Sequence, residues 1–289
     1  METVNHSGSL FIVATPIGNL KDFTQRAIET LSSVDWIAAE DTRHSKPLLQ
    51  HFAINKPLIS LHDHNEQERI EGVKQRLRQG ENGALISDAG TPLINDPGYH
   101  LVKALRDEGF SVVPIPGPSA VITALCAAGM PTDRFSYEGF LPAKAAKRLQ
   151  ALQTLTQEGR TMVFYESPHR LQATLEAMLE VFGAERQAVV AKELTKQFEQ
   201  FVGSDLGEIV EYFKQNPDRV RGEFVIMLQG ADEQPEREEN ADDVLILLLL
   251  KQSLPVKQIA EIVSEYGGRK KKAVYQRAQE LKDMQMDNG

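Results

Sequence analysis

Short apolar runs separated by amphipathic stretches set the rhythm of the first 130 residues. The segments at 10–14, 36–39, 58–61, 84–86 and 111–115 read as strands, and unbroken apolar positions are what strands buried on both faces show. Helices fill the intervals. Thr24 is placed to cap one that reaches about Ser33, and another runs to Gln79 and closes at Gly80. Asp96, with Pro97 at the first helical position, opens a third that ends at Gly109. Pro116-Gly117-Pro118-Ser119-Ala120 opens an apolar helix through Ala128. Strands and helices in alternation predict a parallel sheet.

Past Met130-Pro131 the pattern changes. Strands are predicted at 135–141, 161–165, 187–194, 198–202 and 223–228. Helices are predicted at 143–157, from a Ser167-Pro168 cap to about Gly183, and at 206–216. Strands 187–194 and 198–202 follow one another with only Thr195-Lys196-Gln197 between them, which points to a mixed sheet and a second α/β domain. A cleft between two such domains is a natural ligand site. Residues 231–243 hold Asp232, Glu233, Glu236, Glu238, Glu239, Asp242 and Asp243 and read as a hydrophilic linker. Beyond it, 244–250, 256–266 and 271–282 read as helices. The turn Gly267-Gly268 leads into Arg269-Lys270-Lys271-Lys272, as in a helix-turn-helix with a basic entry that contacts phosphates. The predicted class is α/β, with domains at 1–130 and 131–230 and a small helical domain at 242–289.

Composition narrows the function. In 289 residues, 41% hydrophobic and 25% charged positions are those of a soluble globular protein. The longest apolar run, 244–250, is far too short to span a bilayer, and no basic region followed by an apolar core marks a secretion signal. The lone Cys126 excludes an internal disulfide framework and suits the cytoplasm, and no Cys/His spacing resembles a zinc site. A net charge of −9 argues against a uniformly basic nucleic-acid-binding body and leaves the local patch at 269–272.

Candidate chemistry gathers at strand ends, where open α/β sheets place ligands. The stretch from Ser87 to Gly98 offers the Asp88 carboxylate, the Thr91 hydroxyl and Gly90, whose lack of a Cβ lets a ligand approach the main chain. The alternative is an ordinary strand-to-helix turn. Thr15-Pro16-Ile17-Gly18-Asn19-Leu20 lacks the spaced glycines of a dinucleotide fold and the Gly-Lys-Ser/Thr of a P-loop, so it is not built for a pyrophosphate. Glu40-Asp41-Thr42-Arg43-His44-Ser45 holds material for a general base and a phosphate-binding Arg43, or is a solvated loop before a capped helix. His62 and His64 share a face, but no third ligand stands at suitable spacing. No metal site is expected, and His64 is assigned to a polar face for RNA or substrate.

Several motifs in order carry a resemblance. Segments 10–20, Ala39-Glu40-Asp41-Thr42-Arg43, Ser87-Asp88-Ala89-Gly90-Thr91-Pro92 and Pro116-Gly117-Pro118-Ser119-Ala120 resemble the tetrapyrrole methylase superfamily, the class III methyltransferases. Tyr165-Glu166-Ser167-Pro168-His169-Arg170 and Ala191-Lys192-Glu193-Leu194-Thr195-Lys196 narrow it to the bacterial small-subunit ribosomal RNA methyltransferase branch. One departure stands out: many relatives carry Gly-Asp-Pro where this chain has Ser87-Asp88-Ala89. The resemblance implies S-adenosylmethionine in the cleft between two α/β domains, and a homodimer. It also implies methylation of the ribose 2′-hydroxyl of a cytidine in the decoding region of 16S rRNA. Carried over by position, Pro16 and Ile17 border the cofactor and Asp88, Gly90 and Thr91 take its methionine end. Ser119, Ala120, Tyr165 and Leu194 would surround ribose and adenine.

A ribose hydroxyl needs a base to take its proton. Asp41 and Glu193 are the candidate bases, with Lys192 and Arg43 holding phosphate or stabilising the alkoxide; the competing reading is that these charges only pair with one another. Two other functions share the body: methylation of a small tetrapyrrole-like substrate, and a non-catalytic RNA-binding ribosome-assembly factor. A small-molecule substrate gives the basic C-terminal helices, with Arg269, Lys270, Lys271 and Lys272, no purpose, and they favour RNA.

Overall fold

A computed structural model describes residues 7–231 and 237–287. The chain divides into two compact units, Met1–Gly230 and Ala231–Gly289, and the first carries two five-stranded sheets.

The first sheet consists of β1 (Ser9–Val13), β2 (Trp36–Ala39), β3 (Leu58–Ser60), β4 (Gly83–Ile86) and β5 (Ser111–Ile115), in the order β3-β2-β4-β1-β5 with every pairing parallel. Its helices are α1 (Gln25–Ser33), α2 (Thr42–His51), α3 (Glu66–Arg78), α4 (Tyr99–Asp107) and α5 (Ala120–Ala127). Side chains alternate across a strand, so each strand feeds two cores. Val13, Ile37 and Ile86 pack beneath Leu31 of α1 and Leu49 of α2, while Leu10, Trp36 and Leu85 pack beneath Leu77 of α3 and Leu101 of α4. The loops leaving the carboxyl ends of β4, β1 and β5 therefore lie side by side.

The second sheet is mixed. It contains β6 (Phe135–Phe140), β7 (Thr161–Glu166), β8 (Ala188–Lys192), β9 (Gln200–Val202) and β10 (Phe224–Leu228) in the order β6-β7-β10-β8-β9. Only β6 and β7 run parallel. Phe164, Ile226 and Val190 face α6 (Ala145–Thr154), α7 (Leu171–Phe182) and α8 (Leu206–Gln215). Val163, Ala191, Val225 and Met227 point the other way, onto Ile17, Val121, Ala124 and Leu125 of the first lobe. At about 1.5–3 kcal/mol for each buried Val, Leu, Ile or Met, this seam is a large stabilising term and fixes the two lobes against each other.

Several boundaries differ from the sequence reading. Helix α4 starts at Tyr99 and not at Asp96-Pro97. The chain from Leu93 to Gly98 turns sharply, with φ of 73° at Leu93, 68° at Asn95 and 126° at Gly98. The free N–H of Leu101 in the first turn of α4 is taken by the buried Glu66 carboxylate at 2.8 Å. Helix α7 starts at Leu171, because Ser167-Pro168 belongs to a turn held by Glu166. That carboxylate accepts from the Ser167 N–H at 2.8 Å, Thr174 Oγ1 at 2.6 Å and Arg170 at 3.2 Å. Finally, residues 232–236 of the expected linker lie outside the described residues, and from Arg237 the chain is already helical.

The second unit consists of α9 (Arg237–Lys251), α10 (Val256–Gly267) and α11 (Lys271–Asp287) around Ile246, Ile259, Val263, Val274 and Ala278. Gly268, left-handed at φ 66°, caps α10 by donating its N–H to the Ser264 carbonyl. Among the described residues no helix is long and apolar enough to cross a membrane.

Candidate active site

The three neighbouring loops of the first sheet are bonded into one floor. Thr15 and Gly90 exchange main-chain hydrogen bonds of 2.8 and 3.0 Å. The Thr15 hydroxyl donates to the Ser87 carbonyl at 3.3 Å, and the Thr91 hydroxyl donates to the Pro118 carbonyl at 2.9 Å. Gly90 has φ 79°, and a Cβ there would stand 3.2 Å from Ile17 Cγ2, so only glycine leaves this backbone open and unstrained. Above the floor is a cavity of about 370 Å³. Ile17, Asp88, Gly90, Thr91, Ser119 and Ala120 wall it from the first lobe, and Tyr165, Leu194 and Val225 from the second. The Tyr165 ring meets Tyr137 and Phe140 edge to face at 5.0 and 5.7 Å. Asn95 Nδ2 donates to the Tyr137 hydroxyl at 2.5 Å, which fastens the 93–98 loop to β6.

One corner of the cavity is acidic. Asp88 and Asp96 both lie in the wall. Burial, reinforced by the charges of Asp88 and Asp63 and opposed by the Ser87 hydroxyl, pushes the Asp96 carboxyl up to about 6. Burial and then the charges of Asp96, Asp88, Asp63 and Asp41 also raise Glu40. Clustered carboxylates in a partly buried corner favour a cationic ligand, which would lower all of these proton affinities together. Among the described residues no group of histidine, cysteine and carboxylate side chains could hold a metal, and His62 and His64 touch only edge to face at 6.0 Å.

Residues 9–210 match the family Tetrapyrrole (Corrin/Porphyrin) Methylases, and residues 235–282 match the RsmI C-terminal HTH domain. The chain is 53% identical over 276 residues to Ribosomal RNA small subunit methyltransferase I of Escherichia coli O157:H7, covering 96% of both chains. The namesake from Pasteurella multocida is 51% identical, with 94% of this chain and 97% of that one covered. The chain belongs to the ribosomal RNA small subunit methyltransferase I family. The fold of this methyltransferase recurs in distant solved structures. A cobalt precorrin-4 methyltransferase aligns at TM-score 0.56 and 17% identity over 76% of this chain and 94% of its own. Diphthine synthase aligns at 0.58 and 12% over 77% and 90%.

In this methyltransferase, eight of the nine residues expected around a cofactor, all but Pro16, line the cavity. The three expected catalytic residues do not. Asp41 caps α2, accepting from the Arg43 N–H at 2.8 Å, and its carboxylate pairs with the Arg43 guanidinium at 2.8 and 3.1 Å. The Arg43 bonds hold its carboxyl well below the usual range, so it is a poor proton acceptor. Arg43 itself is 90% exposed, and His64 is also at the surface. Glu193 bridges the ends of β8 and β10: it accepts from Lys196 Nζ at 2.8 Å and from the Glu223 N–H at 3.1 Å. Burial works to raise its carboxyl, and Lys196 and the Glu223 N–H outweigh it. Lys192 pairs in register with Phe224 and so shares the strand face opposite Ala191 and Val225, the face that meets the first lobe. It lines a different hollow.

Sequence reasoning missed Asp96, Asn95 and Phe140 in the cavity wall. Asn95 and Gly98 were the available signal, because both residue types favour the positive φ that keeps this stretch out of a helix. In the C-terminal unit, Asp242 and Asp243, expected at the end of a linker, sit on α9 as ion-pair partners. Arg269 Nε lies 2.8 Å from Asp242, and Arg277 is forked onto Asp243 at 2.6 and 2.9 Å. Lys271 pairs with Glu261 at 2.6 Å. Lys270 and Lys272 are exposed and form no ion pair with any described residue.

Proposed function

We propose that this chain methylates RNA of the small ribosomal subunit with S-adenosylmethionine as donor, the acceptor being the 2′-hydroxyl of a cytidine in the decoding region of 16S rRNA. The observation that carries this is the cavity of about 370 Å³ at the bonded β1, β4 and β5 loops, in a chain 53% identical to a ribosomal RNA small subunit methyltransferase I. The residues present fit the donor. Gly90 leaves main chain open to contact, Ile17, Tyr165, Leu194 and Val225 offer apolar cover for a purine, and Asp88 meets a cationic amino group. The donor, once bound, supplies an electrophilic methyl group.

The chain's own residues do the rest. Tyr165 and Leu194 exclude water from around the bound donor, which strengthens every charge interaction inside the cavity. Asp96, raised toward neutrality and present in the wall, accepts the proton of the ribose hydroxyl, a role that Asp41 and Glu193 leave vacant because their carboxylates are held by internal partners. Positioning of the hydroxyl in line with the transferring methyl supplies much of the rate. Lys270 and Lys272 add phosphate contacts from the C-terminal unit. A cytoplasmic homodimer completes the proposal.

Incubation with small ribosomal subunits and methyl-labelled donor tests it. Label recovered in a ribose-methylated cytidine supports the reading. Donor binding without label in RNA would point to an assembly factor, and label passed to a tetrapyrrole in preference to RNA would point to the small-substrate enzyme.

A further inference from the structure

A second hollow, of about 620 Å³, lies beside the cavity on the same strand ends. At the exit of β8, Glu193 lines the second hollow and Leu194 the cavity; at the entry of β10, Arg221 lines the second hollow and Gly222 the cavity. Lys192 sits in the hollow's wall, 8% exposed over the whole residue, and its side chain forms no hydrogen bond or ion pair with any described residue. Its ammonium, which already feels the Glu193 carboxylate, can take an anion that enters the hollow as a charge-assisted hydrogen-bond partner. Arg219 and Arg221 stand in the same wall; the Arg219 guanidinium makes one long bond of 3.3 Å to Gln200 Oε1, and the exposed Arg221 guanidinium has no described partner, only its main-chain N–H donating to the Arg219 carbonyl at 2.9 Å. Of the acids there, Glu193 is met by Lys196, Glu199 accepts from the Thr195 N–H at 2.6 Å and keeps its charge, and Asp218 pairs with no described cation, so the three cations outweigh the acids only where an anion reaches them directly. Phe198, 70% exposed, adds an aromatic face that no core requires.

We infer that this hollow is a subsite for single-stranded RNA, in which Lys192, Arg219 and Arg221 hold a phosphodiester next to the target nucleotide and Phe198 stacks on the neighbouring base. The combination of cations with one solvent-facing aromatic ring is what sequence-tolerant single-strand binding uses. The chain neighbours that divide between the two walls, Glu193 beside Leu194 and Arg221 beside Gly222, set the occupant: a nucleotide turned out of its stack to reach a buried donor leaves its flanking phosphate and base near these strand ends. The inference rests on the reading of the cavity as an RNA methyltransferase site, yet can fail separately from it.

The test uses the full chain, a fluorescent single-stranded oligoribonucleotide of about ten nucleotides, and the surface variants Phe198→Ala, Phe198→Trp and the double variant R219A/R221A. Phe198→Ala is expected to weaken RNA binding about tenfold, with Phe198→Trp restoring it. R219A/R221A is expected to lower the slope of log affinity against log salt by about 1.4, for two lost phosphate contacts on a single strand. Donor affinity by calorimetry stays at the wild-type value in all three. Unchanged RNA affinity and salt slope in these variants, while wild-type protein still methylates small subunits, would overturn the subsite and leave the cavity reading intact. Inorganic phosphate binding as tightly as the oligoribonucleotide would likewise overturn it, in favour of a small-anion site. Absence of methyl transfer by the wild type is the distinct result that would remove the reading beneath it.

Discussion

Two aspartates at neighbouring strand ends acquire opposite proton affinities. Asp41, after β2, is bonded to Arg43 and stays ionised; Asp96, in the loop after β4, is partly buried among like charges and rises to about 6. Asp96→Asn is therefore expected to lower the single-turnover methylation rate by about 10²-fold or more, the usual worth of a positioned base. With the cationic donor bound, the wild-type rate should climb as pH rises through a value at or below about 6 and the variant's should not; stopped-time assays across the acid range check this. The stability consequence runs the other way. A carboxyl raised in the folded state binds its proton more tightly there than in the unfolded chain, so its contribution is present at low pH and fades as pH rises from 3.8 to about 6. Urea midpoints of Asp96→Asn against wild type should diverge in that window in the variant's favour. Asp41→Ala, by contrast, should lower the urea midpoint through the lost cap while single-turnover rate at saturating donor and RNA stays near wild type. At this scale residue types at strand ends were readable from the sequence, but pairings were not. Nothing in Glu40-Asp41-Thr42-Arg43 distinguishes a capped, self-paired Asp41 from a free base until the φ/ψ of the turn is known.

The elements carry the site through their loops more than through their own residues. The Thr91 hydroxyl is the tie between the β4 and β5 loops, at 2.9 Å from the Pro118 carbonyl. Thr91→Val keeps the shape and removes the bond. It should cost about 1 kcal/mol of stability and weaken donor affinity more than a surface substitution does, measured by denaturation and calorimetry. Most strands and helices were legible because their burial imposes period 2 or 3.6 on the sequence; β2 and β5 fall on the predicted residues. The failures share a cause. Asp96-Pro97 and Ser167-Pro168 both look like helix starts, and both are turns fixed by distant partners: Tyr137 grips Asn95, and Glu166 grips Ser167, Arg170 and Thr174. Local capping signals are real preferences, and tertiary hydrogen bonds override them.

For the whole molecule, a net charge of −9 is reconciled with an RNA substrate by local distribution. In the C-terminal unit much of the basic run is consumed internally: Arg269 and Lys271 pair with Asp242 and Glu261, while Lys270 and Lys272 point to solvent. Lys270→Ala with Lys272→Ala should reduce the salt slope of RNA binding by about 1.4. Lys271→Ala should change it less, because that ammonium already has a carboxylate. Fluorescence titrations at several salt concentrations separate the two. The sequence showed a basic cluster and an acidic stretch, but their pairing across α9, α10 and α11 emerged only with the fold. The most direct measurement for the molecule as a whole is transfer of a tritiated methyl group from S-adenosylmethionine to small ribosomal subunits, read after digestion to nucleosides. Wild-type protein should place the label on the 2′-oxygen of cytidine, and Ala120→Trp, which fills the cavity, should place none. Label undiminished in Ala120→Trp, or none in RNA from the wild type, would contradict the assignment of this cavity as the site of methyl transfer.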